Sequence, residues 1–362
     1  MKDLSIIIPA RNEMFLAKTI ANILENIESD TEVIAVLDGQ WPQTGYEIPQ
    51  HDRVNVVHVP KSIGQRKACN MGAKLAKGDY VMKLDAHVAV DKGFDRKMLE
   101  AFTMIGEPNI TMVPVMHNLW AYDWKCYRCG SRWYQGPTPS RCMKQQGQGT
   151  VPNETCSETS NFKRKMTWAR EATKGQSAYQ NWKGRWSPAH TSFCFDSEPH
   201  FQYFKDYAKR PEVQKQVKET GFNETMSLQG SCFMATRENY WRLELCGDDL
   251  GSWGNQGIEV ACKTWLSGGR VLVNHNTWYA HMFRTQNVGD FTFPYRITAA
   301  EVQETKKRTW KLFSNGRWGL QTRQVSWLIE RFWPIICKNR AGELGMGWTQ
   351  EALDKLKASE VQ

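Results

Sequence analysis

No stretch of this 362-residue chain reaches membrane-spanning length without charged residues, which excludes a helical membrane protein. No secretory signal is visible either. Met1-Lys2-Asp3 is followed at once by Leu4-Ser5-Ile6-Ile7-Ile8, too short an apolar run for a signal core. The chain therefore reads as soluble and cytoplasmic, and in a reducing compartment its ten cysteines are not expected to pair. Internal repeats and low-complexity tracts are absent, so solenoids and linker-dominated chains are excluded. Acidic side chains are in the minority, 38 against 47 Lys and Arg, for a net charge of +9. That imbalance suits an anionic partner: a nucleotide diphosphate, nucleic acid or a membrane surface. Apolar residues make up 41%, enough for a sizeable core and too many for a disordered chain.

The first third alternates strand and helix signals. Leu4 to Ile8 is a β-branched run ended by Pro9. Asn12 to Asn26 spaces Leu16, Ile20, Ile23 and Leu24 as a helix does. Further strands are expected at 32–37, 54–59 and 80–84, with a helix at 68–76. This alternation implies an α/β fold with a mainly parallel sheet flanked by helices. In such sheets ligands bind beyond the carboxyl ends of the strands, where Pro9 to Glu13, Asp38-Gly39 and Asp85 to His87 fall. Residues 116–200 read differently: Trp120, Trp124, Trp133, Trp168, Trp182 and Trp186 lie among Gly, Pro, Ser, Gln and basic residues, with little periodicity. Regular patterning returns at 230–236, in a helix over 258–266 and in a strand from Arg270 to Val273. A last helix should start with Thr349 as its N-cap.

The main chemical signal is Asp85-Ala86-His87 at the end of a buried strand, together with His281 far along the chain. A carboxylate and an imidazole two residues apart can reach one ion, and a distant histidine can complete the set. Mn²⁺ (or Mg²⁺) accepts oxygen and mixed donors, and a cation on a nucleotide diphosphate stabilises the leaving charge. An isolated D-x-H is more often a pair of ordinary side chains; context decides here.

Ser5-Ile6-Ile7-Ile8-Pro9-Ala10-Arg11-Asn12-Glu13, the segment Gly64 to Gly72 and Gly78 to His87 resemble family-two glycosyltransferases. The D-x-H form, with Trp253-Gly254, Trp265 to Gly269 and His281-Met282-Phe283-Arg284, resembles the polypeptide N-acetylgalactosaminyltransferases. The resemblance covers residues 4–90 and about 228–284. It implies a GT-A (Rossmann-like) fold and sugar transfer from a nucleotide-diphosphate donor, a UDP-sugar in the first instance. It also implies roles. Pro9, Ala10, Arg11 and Glu13 would border the nucleoside, and Asp38 would hold the base. Gly64 and Lys67 would lie near the nucleotide, Lys67 where the family usually has arginine. Gly230 and Ser231 would border the donor sugar, and Asp85, His87 and His281 would hold the metal. Four segments follow: a nucleotide-sugar half at 1–115, an insertion at 116–200, an acceptor half at 201–290 and a basic, aromatic region at 291–362. One position departs from the pattern. Where polypeptide transferases carry Glu, this chain has Gln256, and an amide cannot take a proton at neutral pH. Either the reaction retains configuration, or Asp248, Asp249 or Glu259 supplies the base.

The insertion holds Cys126-x2-Cys129, a knuckle that can present two thiolates to zinc, with Cys142 and Cys156 to complete a tetrahedron. His117, His190 or Cys194 are alternative ligands. A structural Zn²⁺ would explain how a segment with so little core stays folded. Basic and aromatic residues mix at Lys163-Arg164-Lys165, Trp182 to Trp186 and Lys306 to Lys311, as in nucleic-acid binders. The acceptor this suggests is a hydroxymethylated pyrimidine in DNA, as for phage DNA-modifying glycosyltransferases. The alternatives are a glycan or lipid-linked saccharide, or a zinc-dependent nucleic-acid-binding protein with an inactive transferase core.

Overall fold

The computed structural model describes residues 2–42, 47–119, 121–147, 149–169, 189–252, 254–284, 291, 293, 295, 298–338 and 344–360, with 337–338 and 344–346 as backbone only. Trp120, the run Trp182 to Trp186 and Trp253, all singled out above, lie outside the described residues. The first half is built as expected. Strands β1 (Leu4–Ala10), β2 (Thr31–Asp38), β3 (Val54–Val59) and β4 (Tyr80–Leu84) enclose helices α1 (Leu16–Asn26) and α2 (Gln65–Leu75). A short β5 (Val88–Val90), helix α3 (Phe94–Ile105) and β6 (Ile110–Asn118) follow. All seven residues of β1 and all eight of β2 are buried, the mark of central strands covered on both faces. Helix α1 buries Leu16, Thr19, Ile20 and Ile23, one stripe at helical spacing.

A Cys- and Trp-rich unit then interrupts the fold with β7 (Ala121–Cys126), β8 (Arg132–Tyr134), β9 (Met143–Gln146), β10 (Gly149–Pro152) and β11 (Phe162–Thr167). Its small core of Tyr122, Trp124, Cys126, Trp133 and Cys142 is separate from the main one. The unit is narrower than residues 116–200: 116–118 belong to β6. The hairpin β12 (Phe193–Phe195) and β13 (Phe201–Tyr203) packs into the main core.

The main fold resumes with α4 (Lys205–Ala208), α5 (Pro211–Thr220), β14 (Phe222–Glu224), β15 (Cys232–Thr236) and α6 (Arg237–Arg242). Helix α7 (Gln256–Leu266) and the long β16 (Arg270–His281) complete it. The sheet runs β14-β16-β6-β15-β4-β1-β2-β3, with β5 added against β16. It is parallel from β4 through β3 and between β6 and β16; β15, β14 and β5 join antiparallel. Helices α8 (Ala299–Ser314), α9 (Val325–Arg331) and α10 (Gln350–Glu360), with the ribbon β17 (Ile336–Lys338) and β18 (Leu344–Gly347), complete the described residues. Phe313, Val325, Leu328, Ile329 and Phe332 are buried in the main core. Thr349 does cap the last helix, accepting from the Ala352 amide at 3.1 Å.

Candidate metal centre and active site

Strand pairing brings the distant histidine home. β16 continues past a bulge between Asn274 and Trp278, and its last residue, His281, pairs with Val88 of β5. That places it beside His87 and just beyond the carboxyl end of β4, where Asp85 sits. His281 Nε2 lies 3.1 Å from Asp85 Oδ2, and His87 Nε2 lies 3.8 Å from the same oxygen. Donor atoms of Asp85, His87 and His281 all fall within 4.8 Å of one another. Cis ligands of an octahedral ion with bonds of about 2.1 Å stand about 3 Å apart, so the set fits a divalent cation. A second nitrogen of His281, Nδ1, is buried with no hydrogen-bond partner.

The charges around this cluster favour metal binding. Burial alone would raise the Asp85 carboxyl, but Lys83, His281 and His87 hold it well below the usual carboxylate range. Lys83 is itself fully buried; its ammonium contacts Asp85 and donates to the Gly230 carbonyl at 2.6 Å. Burial pushes His281 down to about 4 despite its bond to Asp85, so the ring is neutral at pH 7 and can offer a lone pair. Glu13, expected at the nucleoside, stands behind His87, with Oε2 at 3.1 Å from Nδ1. Arg284 pairs with its other oxygen and stacks over Phe291 at 4.3 Å. Burial opposes the charge on Glu13, yet His87 and Arg284 lower its pKa. A carboxylate on the far nitrogen fixes a histidine's tautomer and orientation toward a metal. Sequence reasoning missed Lys83 and Arg284 as partners. Both lie inside the quoted motifs, but neither spacing nor period reveals what they touch.

The residues that the resemblance would set near the nucleotide lie at and beyond the ends of β1 and β2. Pro9 and Ala10 are buried in β1. Arg11 donates to the Asp38 carbonyl at 2.9 Å and lies 5.7 Å from the Tyr295 ring centre. The Asp38 carboxylate accepts from Ser62 Oγ and the amides of Ile63 and Gly64, at 2.9, 2.6 and 3.0 Å. It shapes the turn into α2. Gly64 has φ +93°, and a Cβ there would sit 2.6 Å from that of Ser252, so only glycine fits. Lys67 is exposed on the first turn of α2, whereas neighbouring Arg66 is buried. Ser231 accepts the Asp85 amide on its carbonyl at 2.8 Å and shares a hydrogen bond with Tyr279.

The late loop separates the proposed bases. Glu259 is wholly buried. Arg66 Nε and Lys263 Nζ each lie 2.9 Å from it, and the Gly247 amide donates at 2.7 Å. Both oxygens are taken, so this carboxylate packs α2 against α7 and is closed to an acceptor. Asp248 and Asp249 are exposed, Asp248 accepting from Asn70 at 2.8 Å. Gln256 is buried; its amide donates to Cys246 Sγ at 3.1 Å and its Oε1 has no partner. Next to it, a Cβ on Gly257 would strike the Leu228 carbonyl at 1.9 Å, which seats α7 against the loop before β15.

The four insertion cysteines also converge, their sulfurs within 4.8 Å of one another. Cys126 to Cys156 measures 3.9 Å and Cys129 to Cys142 3.6 Å. Ligands at about 2.3 Å on a tetrahedral zinc stand about 3.8 Å apart. The wide spacing of the second pair is bridged by the β9–β10 hairpin: the Asn153 amide donates to the Cys142 carbonyl, and the Cys156 amide to the Asn153 carbonyl. His117, His190 and Cys194 are not in this cluster.

Residues 5–146 match the model of glycosyl transferase family 2. That match covers about two fifths of the chain. A Drosophila melanogaster protein named "Putative polypeptide N-acetylgalactosaminyltransferase 13" is 22% identical over 319 residues, 84% of this chain and 46% of that protein. The poly-beta-1,6-N-acetyl-D-glucosamine synthase of Staphylococcus aureus is 33% identical over 87 residues, 23% of this chain and 21% of the synthase. The chain thus spans less than half the length of these curated relatives. Among solved structures, GalNAc-T7 with UDP, GalNAc and Mn²⁺ superposes with a TM-score of 0.56 at 16% identity, over 87% of this chain and 48% of that one. That likeness carries the fold: a GT-A sheet flanked by helices.

Proposed function

We propose that this protein transfers a sugar from a nucleotide-diphosphate donor, a UDP-sugar, to a hydroxyl acceptor. The supporting observation is the convergence of Asp85, His87 and His281 beside the strand ends that border a nucleotide in this fold. Mn²⁺ (or Mg²⁺) held there would offset the charge gained by the departing diphosphate. Lys83 keeps Asp85 ionised, and Glu13 aims His87. Arg11 and exposed Lys67 supply positive charge on the donor side. Gly230 and Ser231, against Gln256 and Tyr279, border the donor sugar. With Glu259 enclosed and Gln256 an amide, exposed Asp248 and Asp249 remain as candidate bases. The lack of an unpaired carboxylate at Gln256 favours a retaining course, in which the donor phosphate takes the acceptor proton.

The cysteine cluster is assigned a structural Zn²⁺, since its sulfur separations fit a tetrahedral ion. The nine cysteines described with side chains are free thiols. No described helix is long and apolar enough to cross a membrane. For the acceptor we favour a base hydroxyl in DNA over a glycan, on the density of Lys and Arg around the Cys-rich unit.

The test is a screen of nucleotide sugars, with hydrolysis and transfer read separately, against hydroxymethylated DNA and glycan acceptors. Activity should vanish in excess chelator and return with Mn²⁺. His281→Ala should lower it by at least about a hundredfold, the scale of a lost metal contribution. Full turnover with chelator present would refute the metal reading. Transfer to a glycan but never to DNA would overturn the acceptor assignment alone. A chain that hydrolyses no donor at all would be a binding protein on an inert core.

A further inference from the structure

The three-stranded sheet of the Cys-rich unit, β8–β7–β11, has two unlike faces. Trp124 pairs with Trp133 and Arg164, and with Tyr122 and Cys126 it forms the side turned to the cysteine core. The other side places Lys163 opposite Lys125, and Lys125 opposite Arg132. Three cations therefore stand in one row, about 5 Å from strand to strand. Like charges directly opposite each other destabilise a sheet. Among the described residues, none of the three has a carboxylate within ion-pair reach. Among the described residues, relief comes from Tyr127, whose ring centre lies 5.3 Å from Lys125 Nζ and 5.1 Å from Lys163 Nζ. Ring attraction orders the two ammonium groups and leaves their charge in place. The adjacent row holds Asp123 between Tyr134 and Lys165. Over residues 121–167 eight Lys and Arg face three Asp and Glu, a net of +5 out of the chain's +9.

Both ends of this unit are fastened beside the metal centre. Just before β7, the Leu119 amide donates to the His281 carbonyl at 2.9 Å. Just after β11, Trp168 packs on Phe15 at 6.1 Å, two residues from Glu13. A row of evenly spaced cations suits a polymer with a charge at each repeat better than a single phosphate. A membrane surface would call for an exposed apolar face to insert, and here the aromatics are half-exposed Tyr127 and partly buried Tyr134, set among charged side chains. Cations beside an exposed ring are what single-stranded nucleic-acid binders use.

We propose that the Lys163–Lys125–Arg132 row binds the phosphodiester backbone of a nucleic-acid strand and leads it toward the Asp85–His87–His281 centre. The binding stands alone; its use as acceptor track rests on the sugar-transfer reading. Anisotropy of a labelled single-stranded oligonucleotide, titrated between about 50 and 200 mM KCl, tests it. The variant Lys125→Ala/Arg132→Ala/Lys163→Ala should bind at least about tenfold more weakly. Its log–log salt slope should be smaller by about two, the contribution of three phosphate contacts on a single strand. Its zinc content and donor hydrolysis should match wild type. Should the triple variant lose its zinc, Lys163→Glu at an exposed position repeats the test, and an unchanged slope there overturns the proposal. So does wild-type protein that ignores the oligonucleotide, or that binds phosphatidylglycerol vesicles or polyglutamate equally well. Absent donor hydrolysis in wild type would instead sink the sugar-transfer reading while this binding result stood.

Discussion

Replacing Glu13 by Gln probes whether the metal centre depends on more than its three ligands. Glu13 lies 3.1 Å from His87 Nδ1 and is paired on its other side with Arg284. Holding Nδ1 leaves Nε2 directed at Asp85, 3.8 Å away. Partners of this kind are worth about 10–100-fold in metal affinity, or about 1.4–2.7 kcal/mol. Gln keeps the volume, and its amide oxygen can still accept from Nδ1, but the charge and the ion pair with Arg284 are lost. Glu13→Gln should therefore weaken Mn²⁺ by about tenfold, and Glu13→Ala, which also frees the ring to rotate, by nearer a hundredfold. Free Mn²⁺ followed by electron paramagnetic resonance, with no donor present, measures binding apart from turnover. If both variants hold Mn²⁺ as tightly as wild type, Glu13 does not orient His87, or His87 is not a ligand.

Three further outcomes follow from the same geometry. Cys126→Ser with Cys129→Ser should remove one zinc per chain and expose residues 121–167 to proteolysis, leaving the β1–β4 half protected; retained zinc by elemental analysis would remove the site. Glu259→Ala should cost about 3–5 kcal/mol in chemical denaturation, because it leaves Arg66 and Lys263 buried without their carboxylate; a loss below about 1 kcal/mol would mean the network is incidental. Metal-free protein should lose stability in acid. Burial holds His190 and His281 at about 4, below their ordinary 6.5, so the unfolded chain binds protons first as pH falls. That stability is full above about 6.5 and drains away toward about 4, by up to about 3 kcal/mol for buried His281 and by less for His190, whose charge water partly screens. His190→Gln should flatten the melting temperature across this window, and an unchanged slope would count against it.

Much of the first half was legible in sequence because its signals are local. Strands at 54–59 and 80–84 appear where β-branched and apolar runs placed them, and α1 buries Leu16, Ile20 and Ile23 of the residues its period selects. The cysteine cluster was legible too, since thiols are scarce and four in thirty-one residues need a common reason. The extent of β16 was not: a bulge breaks its pattern after Asn274, so the strand seemed to stop near Val273. That extension is what carries His281 to Asp85.

Side chains whose meaning lies in a partner far along the chain were decided by tertiary structure alone. Sequence put Glu13 in a nucleotide-binding turn and offered Glu259 as a base. Folding set Glu13 behind His87, 74 residues away, and closed Glu259 between Arg66, 193 residues away, and Lys263. The reason is that a carboxylate's chemistry is set by burial and by the charges within a few ångströms of it. Local sequence fixes the residue type and the strand end it stands on. Which cation or imidazole meets it there depends on the order in which strands pair, and only the assembled sheet records that order.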